Sequence, residues 1–204
     1  MKSNIMKPDS ERPDSFGLEL RTSAEWNDAL WAQIFPIYSA SFPAHIRKPE
    51  RIVRDMLNVM DAFLHVGLSE GVPCSMAVTG LSSDKRLLIV DYLAVSPGFR
   101  QRGAGKQTTD ALADWARETY GVSGLLLEAE VDNSKESRDR QRFWERCGFE
   151  STEYVHRYVW VPEKYRAMLL DLQSDTERSA EPLSRDGKQL FRQIEAFHKL
   201  SFKK

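Results

Sequence analysis

IVDYLAVSPGFRQRGAGKQTTDALADW, residues Ile89 to Trp115, joins an apolar strand to a helix through a basic turn spaced by glycines. The strand, Leu87 to Val95, runs into Ser96-Pro97-Gly98, and Arg100, Gln101, Arg102, Gly103, Ala104 and Gly105 make the turn. Behind it Ala104, Leu112 and Trp115, with Thr108 and Ala111 on the same side, recur near a helical period. Glycines let a backbone approach a ligand closely, and the first turn of a helix offers free N–H groups at the positive end of its dipole. Arg100, Arg102 and Lys106 add full charges around the same spot. The junction is a seat for a phosphate or pyrophosphate.

Two familiar phosphate-binding patterns do not fit. A kinase-type P-loop needs a glycine where Arg100 stands and Ser or Thr where Gln107 stands. A dinucleotide fingerprint needs a third glycine, and Gly103-x-Gly105 is followed by Gln107-Thr108. What remains is R-x-x-G-x-G directly behind a strand ending in Leu93-Ala94-Val95, which resembles the acyl-CoA signature of the GNAT N-acetyltransferases. Further on, Phe143-Trp144-Glu145-Arg146-Cys147-Gly148-Phe149 resembles the second signature of that family, F-Y-x-x-x-G-F. The two stand in family order with a strand-like run, Gly124 to Val131, between them. The resemblance covers about residues 16 to 172. It implies an α/β fold with a central, mostly antiparallel twisted sheet, one parallel and splayed strand pair, and flanking helices.

Composition narrows the field. At 204 residues the chain suits one domain with an appendage, and its 41% apolar and 29% charged shares are those of a globular protein. A net charge of −1 gives no general pull towards nucleic acid or an anionic membrane. Cys74 and Cys147 lie in apolar segments and the four histidines are scattered, so neither a disulfide framework nor a metal centre is expected. No apolar run approaches the roughly 20 residues that span a bilayer, and the first residues lack a signal-peptide core. The expectation is a cytoplasmic protein.

Residues 1–15 are polar and carry two prolines, so a flexible lead is expected there. Phe16 to Arg21 alternates as a strand does. Thr22-x-x-Glu25 is a capping-box pattern for a helix carrying Trp26, Leu30 and Ile34, with Pro36 as its expected stop. After an irregular stretch, Pro49 opens a helix with a stripe of Ile52, Val53, Met56, Leu57 and Met60. Phe63 to Leu68 and Pro73 to Leu81 read as strands around a Glu70-Gly71 turn. The Gly124 strand has the apolar start of one buried on both faces, and a helix of crossover length makes it a parallel partner for Leu87 to Val95. Residues 132–142 are a charged insert before a helix at Phe143. Tyr154 to Val161 and Tyr165 to Leu172 resemble the last two strands of the family. Residues 173–204 read as a linker and a C-terminal helix with Leu190, Phe191, Ile194 and Phe197 on one side; it docks on its own domain or forms a homodimer contact.

The resemblance implies acetyl-CoA as co-substrate. It is held by main-chain groups around Leu93, Ala94 and Val95 where two strands splay, with its pyrophosphate on the amides of Arg100 to Gly105; Lys106 and Asn133 complete that set. Amine acetylation then needs a base. Glu128, in L-E-x-x-x-x-N with Asn133, resembles the strand on which protein N-terminal acetyltransferases of the family carry one. Asp91 is the other candidate. Simple alternation puts Asp91, Leu93 and Val95 on one face, and apolar surroundings make a carboxylate a stronger base. Where relatives usually place a tyrosine that protonates the leaving thiolate, this chain has Trp144, whose indole donates a hydrogen bond but is no general acid. Tyr158 and Tyr154 are nearby substitutes, and packing between helix and sheet is the simpler role for Trp144. The acceptor is expected near Phe35 to Ile46 and Tyr154 to Tyr165, among Tyr38, Phe42, His45, His156 and Trp160; such a wall suits a small amine or a peptide N-terminus.

The implied activity is acetyl-CoA-dependent N-acetylation of a primary amine. The alternative is a non-catalytic acyl-CoA-binding or interaction module of the same fold, motivated by Trp144 and the extra helix. A nucleic-acid role would rest only on Arg138, Arg140 and Arg142, which read as a solvated helix start.

Overall fold

The computed structural model describes residues 17–159 and 161–202; the expected lead over 1–15, Phe16 and Trp160 lie outside them. In chain order the elements are β1 (Glu19–Ser23), α1 (Asp28–Ser41), α2 (Glu50–Val59), β2 (Ala62–Ser69), β3 (Val72–Leu81), β4 (Leu87–Val95), α3 (Ala104–Tyr120), β5 (Gly124–Glu130), α4 (Lys135–Arg146), β6 (Glu150–Ser151), β7 (His156–Arg157), β8 (Lys164–Asp171), α5 (Asp175–Ala180) and α6 (Gly187–Ser201). The strands form one sheet, β1-β2-β3-β4-β5-β8-β6, with β7 also against β8. Every pair is antiparallel except β4–β5, as the fold expectation requires.

Side-chain alternation sorts the core into two layers. On one face Leu64, Val66, Leu87, Ile89 and Leu126 meet α1, α2 and α6. On the other Leu88, Val90, Leu125, Leu127 and Ala129 meet Leu112, Ala113 and Ala116 of α3, with Phe143 and Trp144 of α4 at the edge. Between β1, β2 and β3, His65 is fully buried, its Nδ1 2.8 Å from Thr22 Oγ1 and its Nε2 2.8 Å from Thr79 Oγ1. Burial pulls that imidazole down to about 3, which keeps it neutral.

Several local expectations are corrected. Thr22 stays in β1 against His65, and the cap of α1 is Asn27, whose side chain accepts from Leu30 N at 2.9 Å. Pro36 does not stop α1: the helix runs on to Ser41 because Ile37 and Tyr38 carry its apolar side into the core. That packing outweighs the ~3 kcal/mol cost of an interior proline. The charged stretch before Phe143 is helical from Lys135, capped by Ser134 accepting from Ser137 N. The strand expected over Tyr154 to Val161 shrinks to His156–Arg157. The linker holds α5, closed by a capping box of Ser174 and Glu177, and it folds back through Gln173, whose amide bonds Glu181 O and Leu183 N.

Helix α6 packs Leu190, Phe191, Ile194 and Phe197 into the first layer, so its apolar stripe is used within the chain. Gly80 makes the room: a Cβ there would lie 2.5 Å from the Phe197 ring.

Candidate active site

The parallel pair β4–β5 is short. Leu87 pairs with Gly124, Leu88 with Leu125 and Ile89 with Leu126, and the pairing ends there. Past Ile89, β4 keeps β3 on one side, through Leu93 to Ala77, Ala94 to Met76 and Val95 to Ser75, while its other edge has no strand partner among the described residues. Strand β5 pairs with β8 from Gly124 to Glu130, and past Leu126 it keeps only that neighbour among the described residues. The two strands therefore part, and main-chain groups of Val90 to Val95 line the opening.

The glycine turn stands at the end of β4. Gln101 has φ 61° and Gly103 φ 86°, left-handed conformations that curl the turn and let Gly103 cap α3. The first hydrogen bond of the helix runs from Gln107 N to Gly103 O, so the N–H groups of Ala104, Gly105 and Lys106 find no acceptor within it. Space beside Gly103 is open to 4 Å. Gly105 is tight: a Cβ there would meet the Phe143 ring at 2.9 and 3.0 Å and Val95 at 3.4 Å. The two sequence signatures thus touch, the ring of the second seated on a glycine of the first. Arg100 Nε donates to Val95 O at 3.1 Å, which ties the turn to the strand and occupies one carbonyl expected for the ligand. Arg102 lies by the Phe99 ring, and Lys106 turns to Asp110 at 2.7 Å, a bond that raises its ammonium affinity for protons. Asn133 is exposed in the loop between β5 and α4. It lines a cleft of about 770 Å³ with Glu130, Arg157 and Lys164, on the β8 side of β5.

The face of Asp91 is a correction. Val78 pairs with Tyr92 but Thr79 with Val90, so Asp91 is the extra residue of a β-bulge. The bulge resets the alternation. Asp91 and Tyr92 both look towards α1 and α6, whereas Leu93 packs on the α3 side. Nor are the neighbours of Asp91 apolar. Its oxygens accept from Lys48 Nζ at 2.6 and 2.7 Å, in a pair whose side chains are 6% and 4% exposed. Lys48 is held at both ends. Its main chain donates to Tyr92 OH at 3.1 Å and accepts from Tyr38 OH at 3.1 Å, and its ammonium lies 5.3 to 5.9 Å from the rings of Tyr92, Phe197 and Phe202. Burial pushes the Tyr38 phenol up to about 12 and the Tyr92 phenol up as well.

Glu128 occupies β5 across the opening. Its Oε2 accepts from Tyr158 OH at 2.6 Å, and burial together with that carboxylate drives the Tyr158 phenol well above its ordinary value. Its Oε1 lies 3.3 Å from Nε2 of His198 on α6. The other nitrogen of that ring, Nδ1, is 3.5 Å from Lys48 Nζ and 3.8 Å from Asp91 Oδ1. The structure thus gathers the three residues expected to be catalytic, Asp91, Glu128 and Tyr158, around a histidine and a lysine that sequence reasoning missed. His198 flanks the α6 apolar stripe, the one signal that pointed its way. Lys48 carried none.

Other expected residues have structural places. Trp144 is partly buried against Phe143 and Phe149, ring centroids 4.8 and 5.2 Å away, and fills the α4–sheet interface. Tyr38 is 1% exposed and belongs to the core, His45 is exposed, and His156 stacks on Phe191 at 4.3 Å. Among the described residues no group of His, Cys, Asp and Glu is placed to hold a metal, and no helix is long and apolar enough to cross a membrane.

A family model described as Acetyltransferase (GNAT) family matches residues 31–149. No curated protein matches the chain. Among solved structures, a GNAT-family protein from Bacteroides thetaiotaomicron superposes with a TM-score of 0.59 at 16% identity, over 83% of this chain and 88% of that one. The ribosomal-protein-S18-alanine N-acetyltransferase from Escherichia coli gives 0.56 at 19% identity, over 76% and 96%. An acetyltransferase from Bacillus subtilis, solved with CoA, gives 0.54 at 15% identity, over 77% and 100%. At these identities the likeness speaks for the fold.

Proposed function

The chain belongs to the acetyltransferase (GNAT) family, and from that premise we propose that it moves the acetyl group of acetyl-CoA onto a primary amine of a small molecule, peptide or protein. The observation that carries this reading is the early end of the β4–β5 pairing at Ile89 and Leu126, with the amides of Ala104, Gly105 and Lys106, which have no acceptor within α3, behind the end of β4. Two parallel strands that part expose main-chain groups to which an amide-bearing pantetheine arm can add as a strand would. The donor set suits a diphosphate: amide N–H groups at a helix start, a left-handed Gly103, and Arg100 and Arg102 beside it. That a structural neighbour from Bacillus subtilis was solved with CoA supports the same ligand.

In this reading main-chain groups of Leu93, Ala94 and Val95 hold the pantetheine arm. The turn from Arg100 through Gln101, Arg102, Gly103, Ala104 and Gly105 to Lys106 holds the diphosphate, and Lys106 must swing from Asp110 to take part. Asn133 stands by the exit of β5. Glu128 accepts the proton of the acceptor ammonium. Asp91 acts through its ion pair, fixing Lys48 and the charge balance of the site rather than touching the acceptor. Tyr158, whose hydroxyl donates to Glu128 at 2.6 Å, holds its proton in the resting site and gives it to the departing thiolate. Thiols are tolerable leaving groups, with pKa near ~8.5, so Trp144 in place of a tyrosine does not bar the reaction. The buried, unpaired thiols of Cys74 and Cys147 suit a reducing cytoplasm.

The test is CoA release from acetyl-CoA with a panel of polyamines, aminoglycosides and peptides with free N-termini, followed with a thiol-reactive dye. Saturable release with at least one amine, lost in Glu128→Gln, is expected. Trp144 also favours a second reading, an acyl-CoA-binding module without turnover; it predicts tight CoA binding and no release across the panel.

A further inference from the structure

We propose that His198, carried by a helix beyond the family-matched span, is a positioning residue that completes the site by holding a proton between the carboxylates of β4 and β5. This rests on the acetyl-transfer reading above. Asp91 and Glu128 stand on the two strands that part, and both look to the α6 face. The His198 ring spans them, with Nε2 3.3 Å from Glu128 Oε1 and Nδ1 3.8 Å from Asp91 Oδ1. Histidine is the side chain whose charge changes near neutrality. As an imidazolium it donates to Glu128 through Nε2–H and faces Asp91 with Nδ1–H.

The charges that set its behaviour come from every element around it. Asp91 of β4 and Glu128 of β5 face the ring as carboxylates at 3.8 and 3.3 Å, and Lys48 Nζ faces it as an ammonium at 3.5 Å. Tyr158 approaches edge-on at 6.3 Å between centroids, and Glu195 of the same helix faces His156 at 3.4 Å. Lys48 is committed to Asp91, which leaves Glu128 as the carboxylate that His198 serves. Phe197 beside it is anchored over Gly80, and Phe191 two turns earlier stacks on His156, so the ring has a built mount.

The proton count closes. His198 starts as the neutral ring with Nε2 unprotonated: the acceptor ammonium gives one proton to Glu128, which passes it to Nε2 of His198, and a neutral amine is left. The amine nitrogen forms a bond to the acetyl carbon while the bond from that carbon to sulfur breaks, and the electron pair leaves on sulfur. The thiolate takes a proton from Tyr158, and the second N–H proton restores that hydroxyl. The products are the acetylated amine, the CoA thiol and one proton at His198, which returns to solvent.

The test uses the full chain and two readouts. In the first, the imidazole protons are followed by NMR against pH, with the His198 signal identified by its loss in His198→Gln. Glu128→Gln is expected to move the His198 midpoint down by about one pH unit, the size of effect a facing carboxylate has. A midpoint unmoved within about 0.2 units overturns the proposal; no acceptor is needed for this result. In the second, His198→Gln is expected to lower kcat about 10–100-fold and flatten the acid limb of its pH profile, while acetyl-CoA affinity stays within about twofold. Full kcat with an unchanged profile also overturns it. Should wild type fail to bind acetyl-CoA, the acetyl-transfer reading falls, and the NMR result still reports whether the histidine and the carboxylate are coupled. If His198→Gln unfolds, the Glu128→Gln titration decides.

Discussion

The two faces of the sheet build the site with different materials. On the α3 side the groups proposed to bind acetyl-CoA are main chain: amides at a helix start, a left-handed glycine and a strand edge with no partner strand among the described residues. On the α6 side they are side chains, Lys48, Asp91, Glu128, Tyr158 and His198, brought together from five places in the chain. A backbone site needs only a particular curvature, and so it leaves a compact trace in sequence. A side-chain site depends on tertiary packing and leaves scattered single letters. The family match spans the first kind and stops at residue 149, short of Tyr158 and His198.

Variants that damage one face and spare the other test this division. The largest expected effect is on the α6 side. Asp91→Ala leaves the Lys48 ammonium buried among Tyr92, Phe197 and Phe202 without its partner, and should cost about 3–5 kcal/mol in denaturant unfolding. Glu128→Gln, which strands no buried charge, should abolish turnover with CoA affinity intact. On the other side Gly103→Pro removes an amide donor and cannot adopt φ 86°. It should weaken acetyl-CoA binding about 100-fold by calorimetry, on the scale of one or two charge-assisted hydrogen bonds, while the His198 titration is unchanged. Loss of both properties in either variant would erase the distinction between the faces.

Acid sensitivity gives a smaller effect, placed on the α3 side. His65 titrates near 3 when folded against ~6.5 unfolded, so the unfolded chain takes up the proton first. Stability is therefore lost as pH falls below about 6.5, by about 2 kcal/mol between pH 7 and 5, and the loss continues down to about 3. His65→Gln should flatten that slope in pH-dependent denaturation. The smallest effect belongs to Trp144→Tyr. Because the indole packs between Phe143 and Phe149, the swap should change stability by less than about 1 kcal/mol, and a rise in turnover would show that the position retains access to the leaving group.

The same contrast explains what was legible in the sequence. Gly103 and Gly105 announced the turn, and the crossover from β4 to β5 announced the parallel pair. Even the contact between the signatures is a steric one, since only a residue without Cβ admits the Phe143 ring. The errors arose where one long-range contact outweighed a local rule. Pro36 sits inside α1 because Ile37 and Tyr38 pack, and Asp91 changes face because β4 takes a bulge against Val78 and Thr79. Alternation is reliable only while register is kept, and a single sequence does not show where register slips. Lys48 and His198 stand 150 positions apart, with nothing local in either neighbourhood that names the other.

The central claim is that the gap between β4 and β5 and the amides beside it take acetyl-CoA. Amide-resolved NMR of the full chain during an acetyl-CoA titration tests it most directly. The account predicts saturable shifts at Leu93 and Val95 and at Gln101 through Lys106. A folded protein whose amides in those two segments do not move at saturating ligand would contradict it.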